Sequence, residues 1–319
     1  VTGYSADPRC KIVALADLKR EAAEEMAGEF GLQPGIFTDH KEMLAEVRPD
    51  VAGIALWTGL HPQVFMDCAE AGVKAVLCEK PMAPTWGESK EMVRLAKEHD
   101  IQLTFCHQRR FTQGIRQAKH WLDEGRFGDL ERMDMFAPAN LLDCGTHSLD
   151  LGFMFNDECP VVWAIGQIDA REVRAWFGVE FEFVAAGMLK YENGVWGTIR
   201  LGDDKELVTG VRLTGSKGWI EVAWEGSYPR AVIYDEPGWE PPQVEGSGQM
   251  EALVRNSIDC LESGEEPELS ADKALRATEV IFALYESSRR RARIDLPLEG
   301  VDDNAFLTML AEGVIGPEA

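Results

Sequence analysis

Up to residue 111 the chain alternates short apolar runs with segments of helical composition. "CKIVALAD" (10–17) is an apolar run ending in Asp17, and "LKREAAEEMAGEFG" (18–31) follows with helical composition and a closing glycine. "DVAGIALWT" (50–58), "HPQVFMDCAEAG" (61–72), "VKAVLCEKP" (73–81), "TWGESKEMVRLAKEHD" (85–100) and "IQLTFCHQRRF" (101–111) repeat the alternation. Continuous apolar strands between amphipathic helices predict a parallel sheet covered on both faces. Ligands of such sheets bind at the carboxyl ends of the strands. Glu79, Lys80 and Pro81 stand at one such end.

The pattern then changes. A helical segment, "NLLDCGTHSLDLGFMF" (140–155), precedes six β-rich runs, "VVWAIGQID", "EFEFVAAGMLKY", "VWGTIRLG", "LVTGVRLTG", "WIEVAW" and "AVIYD". "ENG" (192–194) between two of them predicts a hairpin. A Pro/Gly-rich loop covers 234–249, and helices are expected over 250–263 and 271–290. The predicted class is α/β: a Rossmann-type parallel sheet domain over 1–110, then an α+β domain with a mostly antiparallel open sheet over 111–319. The tryptophans at 163, 176, 196, 219 and 224 fall in the β-rich runs, as core or subunit interface. One sheet face without helices should be buried against another subunit, which predicts a homo-oligomer, a dimer or tetramer.

Composition narrows the class of function. With 45% hydrophobic and 27% charged residues, the 319-residue chain resembles an ordinary globular protein. Its formal charge of −23 repels phosphate backbones and anionic lipid, so neither nucleic acid nor membrane is an expected partner. The seven cysteines (Cys10, Cys68, Cys78, Cys106, Cys144, Cys159, Cys260) never show C-x-x-C spacing. Neither a metal site nor a disulfide framework is expected, and a reducing cytoplasm suits them.

"CEKPMAPT" resembles the E-K-P signature of the Gfo/Idh/MocA oxidoreductases. "IVALAD", "FTDHKEML", "HPQVFMDCAEAG", "HQRRF", "LLDCGTHSLD", "LTGSKGWIEV" and "ALRATEVIFALYESSRRRARIDLPL" agree with that family in order, over nearly the whole chain. The resemblance implies an N-terminal Rossmann domain binding NAD or NADP and a second domain that shapes the substrate site. One defining piece is missing. A dinucleotide site needs a Gly-rich turn followed about 20 positions later by an acidic residue for the ribose. No G-x-G-x-x-G occurs in the chain. The sequence is therefore expected to start inside the first helix, as an N-terminally truncated record, with a protein of impaired cofactor pocket as the alternative. Without the central first strand, the strands at 10–17 and 50–58 should lose their shared neighbour.

Asp17 is either a cap of the following helix or the ribose-binding acid. The second role favours NAD over NADP, because a carboxylate repels a 2′-phosphate. Lys19 leaves room for a phosphate. The implied reaction is oxidation of an alcohol by hydride transfer, which needs a base for the hydroxyl proton and a group to steady the oxygen. Lys80, Asp143 and His147 match the family's Lys and Asp-x-x-x-His positions. Asp143 and His147, four apart on a helix, share a face. His147 is then the proton acceptor, Asp143 its orienting partner or a substrate contact, and Lys80 polarises the reacting oxygen.

The resemblance further implies a cis Lys80-Pro81 bond, with Glu79 as a structural anchor. His61 stands near the cofactor or simply starts a helix; Thr58 and Gly59 end a strand where ribose or pyrophosphate passes. Gln108, Arg109 and Arg110 follow the last parallel strand, where Arg109 and Arg110 serve either as substrate cations or in an interdomain salt bridge. Cys144 is expected to pack, and His40, His99 and His120 to lie on the surface without partners. Many relatives carry a longer loop ending in a glycine pair before "LLDCGTH"; here only "APAN" (137–140) stands. The substrate class implied is a sugar, cyclitol or related polyol. A catalytically silent NAD-binding or sugar-sensing protein is the alternative function.

Overall fold

In the first half, short-range signals set the helix ends. The computed structural model describes residues 1–202, 208–223, 230–242 and 248–317. Its elements run α1 (Thr2–Ala6), β1 (Ala14–Ala16), α2 (Arg20–Glu29), β2 (Gly35–Phe37), α3 (His40–Val47), β3 (Val51–Ile54), α4 (His61–Glu70), β4 (Ala75–Cys78), α5 (Trp86–Glu98) and β5 (Gln102–Phe105). Asp39 caps α3 by accepting from the Lys41 amide. Thr85 caps α5 reciprocally: its hydroxyl accepts from the Glu88 amide and donates to the Glu88 carboxylate.

The parallel strands form two sheets. β1 pairs with β2, while β4 is hydrogen-bonded between β3 and β5. No ladder joins β1 to β3 among the described residues. The apolar run 10–17 is consequently strand only over three residues, because one side lacks a partner to hold it extended. Every residue of β4 is buried, which accounts for its unbroken apolar run. α1 lies on a later helix, Gln249–Ser263. A Cβ on Gly3 would come within 2.5 Å of Val254, so only glycine permits that approach.

The second half runs α6 (Gln113–Asp123), β6 (Leu130–Pro138), α7 (Thr146–Phe155), β7 (Val161–Asp169), β8 (Arg174–Trp176), β9 (Val179–Phe181), β10 (Val184–Tyr191), β11 (Trp196–Gly202), β12 (Gly210–Gly215), β13 (Gly218–Ala223), β14 (Arg230–Ile233), α8 (Gln249–Ser263), α9 (Ala271–Arg290), β15 (Ile294–Asp295) and α10 (Ala305–Ala311). Eight strands form one sheet in the order β14-β13-β12-β6-β11-β10-β7-β15, antiparallel except for the β11/β6 pair. Side chains alternate across it. Met133, Met135, Ile199, Leu201, Val211, Leu213, Ile220 and Val222 point into the core with α7 and α9. Trp163, Trp196 and Trp219 lie on the opposite face, where Trp163 and Trp196 meet edge to face at 5.5 Å.

Three expectations need correction. The segment 140–155 is not one regular helix: Leu141–Gly145 is a π-helical turn, and α7 starts after it. The run 180–191 divides into β9 and β10 because the Glu182 carboxylate turns inward between them. Trp176 is neither core nor on the open sheet face, being 57% exposed on the separate β8/β9 hairpin. Trp224 and residues 243–247 of the Pro/Gly-rich loop lie outside the described residues. Among the described residues, no helix is long and apolar enough to cross a membrane.

Candidate active site

The site grows from the carboxyl ends of β3, β4 and β5. Backbone bonds continue past the strands, from the Glu79 amide to the Ile54 carbonyl (2.8 Å) and from the Cys106 amide to the Cys78 carbonyl (2.9 Å). They deliver Thr58, Lys80 and His107 to one end of the sheet. The Lys80-Pro81 peptide is cis. Lys80 Nζ reaches across to the Asp143 carboxylate in a short ion pair and lies 3.3 Å from the Asp143 carbonyl.

Asp143 is held by the π-helical turn around it. The Asn140 side-chain oxygen accepts from the Asp143 amide at 2.8 Å, and the Leu141 amide donates to Glu182 at 2.7 Å. The other Glu182 oxygen accepts from the Tyr285 hydroxyl, also at 2.7 Å. Burial pushes the Glu182 carboxyl up to about 7, against the opposing pull of these two donors. Sequence reasoning missed both Asn140 and Glu182. Glu182 sits 41 residues from its partner Leu141, and no local pattern announces that pairing.

His147, in the first turn of α7, is 3% exposed, and its Nδ1 has no partner. Its ring meets His107 edge to face at 5.5 Å. His107 Nε2 is 2.9 Å from the Thr146 hydroxyl, and its Nδ1 is 3.9 Å from Asp150. Burial drives the His147 pKa well below its usual value, with further lowering by Arg109, His107 and Lys80. Burial also takes His107 down to about 4, although Asp150 opposes it. Both rings are therefore neutral at pH 7. The proposed pairing of Asp143 with His147 is corrected here: Asp143 is bound to Lys80, and the charges bearing on His147 are cationic.

The remaining candidates divide. Thr58 is buried, and Gly59 is exposed, with Pro84 Cγ 4.0 Å from where a Cβ would stand. His61 is 1% exposed, with Nδ1 3.0 Å from the Pro81 carbonyl and Nε2 3.0 Å from the Leu56 carbonyl. That engagement makes it a brace beneath the Lys80-Pro81 turn instead of a cofactor contact. Arg110 is likewise withdrawn from substrate: its guanidinium is buried and binds Asp150 twice at 2.8 Å and Glu158 at 2.5 Å. Arg109 is buried close to His147. Glu79 is half-buried, its backbone anchored to β3. Cys144 is half-buried beside Asp143, with Sγ 3.8 Å from the carboxylate. His40 is not without a partner, since Nε2 lies 2.7 Å from Asp67. His120 is 3.3 Å from Glu124. His99 is exposed and ends α5.

Beside the Lys80-Pro81 turn a partly open cleft offers about 20 Å³ of free space, room for a single water. Thr58, Pro81, Asn140, Leu142 and Asp143 line it on one side, and the β8/β9 hairpin covers it with Trp176, Phe177, Val179 and Phe181.

A dinucleotide fits the residues present at its two ends. Asp17 is exposed after β1, its carboxylate accepting only from the Lys19 amide at 2.8 Å among the described contacts. Thr58 and Lys80 stand after β3 and β4. Between those ends, the sequence holds no glycine-rich turn for a pyrophosphate. Among the described residues, no group of three His, Cys, Asp or Glu is placed to hold a metal ion.

Residues 2–107 match the model of an oxidoreductase family described as having an NAD-binding Rossmann fold. The chain is 26% identical to trans-1,2-dihydrobenzene-1,2-diol dehydrogenase of Mus musculus, over 92% of this chain and 91% of that protein. It is 25% identical to D-apiose dehydrogenase of Paraburkholderia graminis, over 90% of this chain and 83% of the other. The structure of aldose-aldose oxidoreductase from Caulobacter crescentus, complexed with glycerol, shares the fold with a TM-score of 0.80. That likeness covers 92% of this chain and 94% of the other, at 19% identity. Over residues 2–107 the chain thus resembles the NAD-binding domain of that oxidoreductase family, and its likeness to dehydrogenases runs over about nine-tenths of its length.

Proposed function

We propose that this chain transfers a hydride between NAD and a hydroxyl-bearing carbon of a sugar, cyclitol or related polyol. The observation that carries the reading is the meeting of Lys80 with Asp143 beside a buried, neutral His147 whose Nδ1 has no partner. Bound NAD supplies the hydride acceptor. Lys80, held by Asp143, donates to the reacting oxygen and steadies the negative charge that grows there. His147 Nδ1 receives the hydroxyl proton. Because burial and nearby cations disfavour the imidazolium, His147 passes that proton on readily. Asp17, placed to meet the ribose hydroxyls, sets NAD ahead of NADP. Arg109, at the same end of the sheet, contacts substrate hydroxyls.

The domain division falls near residue 110, in the turn Gln108–Phe111 that follows β5. The open sheet face supports a homo-oligomer, a dimer or tetramer: Ile165, Met188, Trp196 and Val232 are each about 40% exposed or more on it. All seven cysteines are free thiols, in keeping with a reducing cytoplasm. The test of the reading is NADH formation by the full chain with a panel of sugars and cyclitols. Lys80→Met should abolish turnover while NADH binding persists; undiminished turnover in that variant would remove Lys80 from the mechanism.

A further inference from the structure

Two features of the small cavity beside Lys80 are not used by that chemistry. The first is a buried donor. Asn140 is 1% exposed; its oxygen is taken by the Asp143 amide, yet its Nδ2 has no partner. Buried amide groups are almost always paired, and an orphan in a residue that lines a cavity leaves one donor free for an incoming oxygen. The second is the cover. Among the described residues, β8 and β9 pair only with each other, apart from the main sheet. At the hairpin tip, Phe177 and Gly178 both take left-handed backbone conformations, with φ of 47° and 77°. That is the geometry of a two-residue turn, and it is unfavourable for a bulky residue such as phenylalanine.

The strained turn sets Trp176 and Phe177 edge to face at 5.2 Å on the cavity wall. They remain 57% and 47% exposed. Trp57 lies against the tip, where a Cβ on Gly178 would come 3.0 Å from its ring. The free space there is about 20 Å³, whereas pockets for small organic ligands run from about 300 Å³. The hairpin tip thus overhangs the site, while Val179 of β9 is anchored in the core.

We propose that Asn140 and the β8/β9 hairpin form a substrate subsite for a cyclic polyol. The Asn140 amide donates to the oxygen on the carbon next to the reacting one. Trp176 and Phe177 close over the carbon-hydrogen face of the ring. This inference rests on the hydride-transfer reading for the location of the reacting carbon. It narrows the substrate to rings, because an open-chain polyol presents no flat apolar face to an aromatic pair.

The test is equilibrium titration of the NADH-loaded full chain with myo-inositol, D-xylose and trans-1,2-dihydrobenzene-1,2-diol, against open-chain xylitol. At least one ring compound should bind more tightly than xylitol. Asn140→Asp keeps the acceptor for the Asp143 amide and loses the donor, so it should weaken that ring compound about tenfold without loss of fold. Phe177→Ala should bring its affinity down toward that of xylitol, with NADH binding unchanged in both variants. The subsite is overturned if both variants bind the ring compound as the wild type does, if xylitol binds equally well, or if no ring compound binds at millimolar concentration. Turnover separates this from the broader reading. The predicted binding pattern without NADH formation would sink hydride transfer and leave the subsite, whereas normal NADH formation with unaffected variants would do the reverse.

Discussion

At the scale of single residues, the site depends on which charges face which groups. Asp143 pairs with Lys80, and the pKa of His147 is lowered by burial and by Arg109 and Lys80, so the proposed acid/base groups are tuned separately. Asp143→Asn should therefore lower turnover through a misplaced Lys80 and leave the acid limb of the pH profile where it was. In both enzymes that limb should fall below the usual histidine range near 6.5. Profiles of kcat against pH for the two proteins check this, and a displaced acid limb in Asp143→Asn would show that the carboxylate acts on His147 after all. The strand-end position of Lys80 was legible because its motif is local, whereas the four-residue spacing of Asp143 and His147 suggested a pairing that the structure replaces with Lys80–Asp143. Asn140 was not, since its unpartnered amide shows only in the folded chain. Arg110 misled for the opposite reason. A cation after a strand looks available until Asp150 and Glu158 are seen around it.

Among the elements, the π-helical turn Leu141–Gly145 has a buried carboxylate as its anchor. Glu182 is raised to about 7 in the fold, so its contribution is complete below the unfolded carboxylate range and is lost as pH rises through about 7. His107 has the opposite sign. Lowered to about 4, its contribution is complete above 6.5 and is lost as pH falls. The two slopes offset each other between about 4.5 and 6.5. Glu182→Gln removes the first, so the variant's stability should rise more steeply with pH across that window than the wild type's. Urea denaturation at several pH values measures it; identical slopes would mean that Glu182 does not titrate there. The helices, with caps such as Asp39 and Thr85, were readable in the chain. The short β1 was not, because strand length depends on a neighbour and not on the run of apolar residues.

Over the whole molecule, α9 fastens the two halves together, packing on β7 of the large sheet and on α5 and β5 of the parallel one. The face of the large sheet away from α9 carries Trp163, Ile165, Met188 and Trp196, a patch suited to a second copy. Trp196→Glu, which places a charge in that patch, should shift the protein toward monomer in analytical ultracentrifugation; a wild type already monomeric at micromolar concentration would contradict the assembly. The open face was legible as β-rich runs without helices, while the β8/β9 hairpin over the site was hidden among them. The central claim is that His147 takes the substrate's proton at a site this chain builds around Lys80. Its most direct test is the full chain carrying His147→Ala, with polyol turnover and NADH binding measured side by side. Turnover should fall by about 10²–10⁴ with NADH affinity unchanged, and near-normal turnover in that variant would contradict the account.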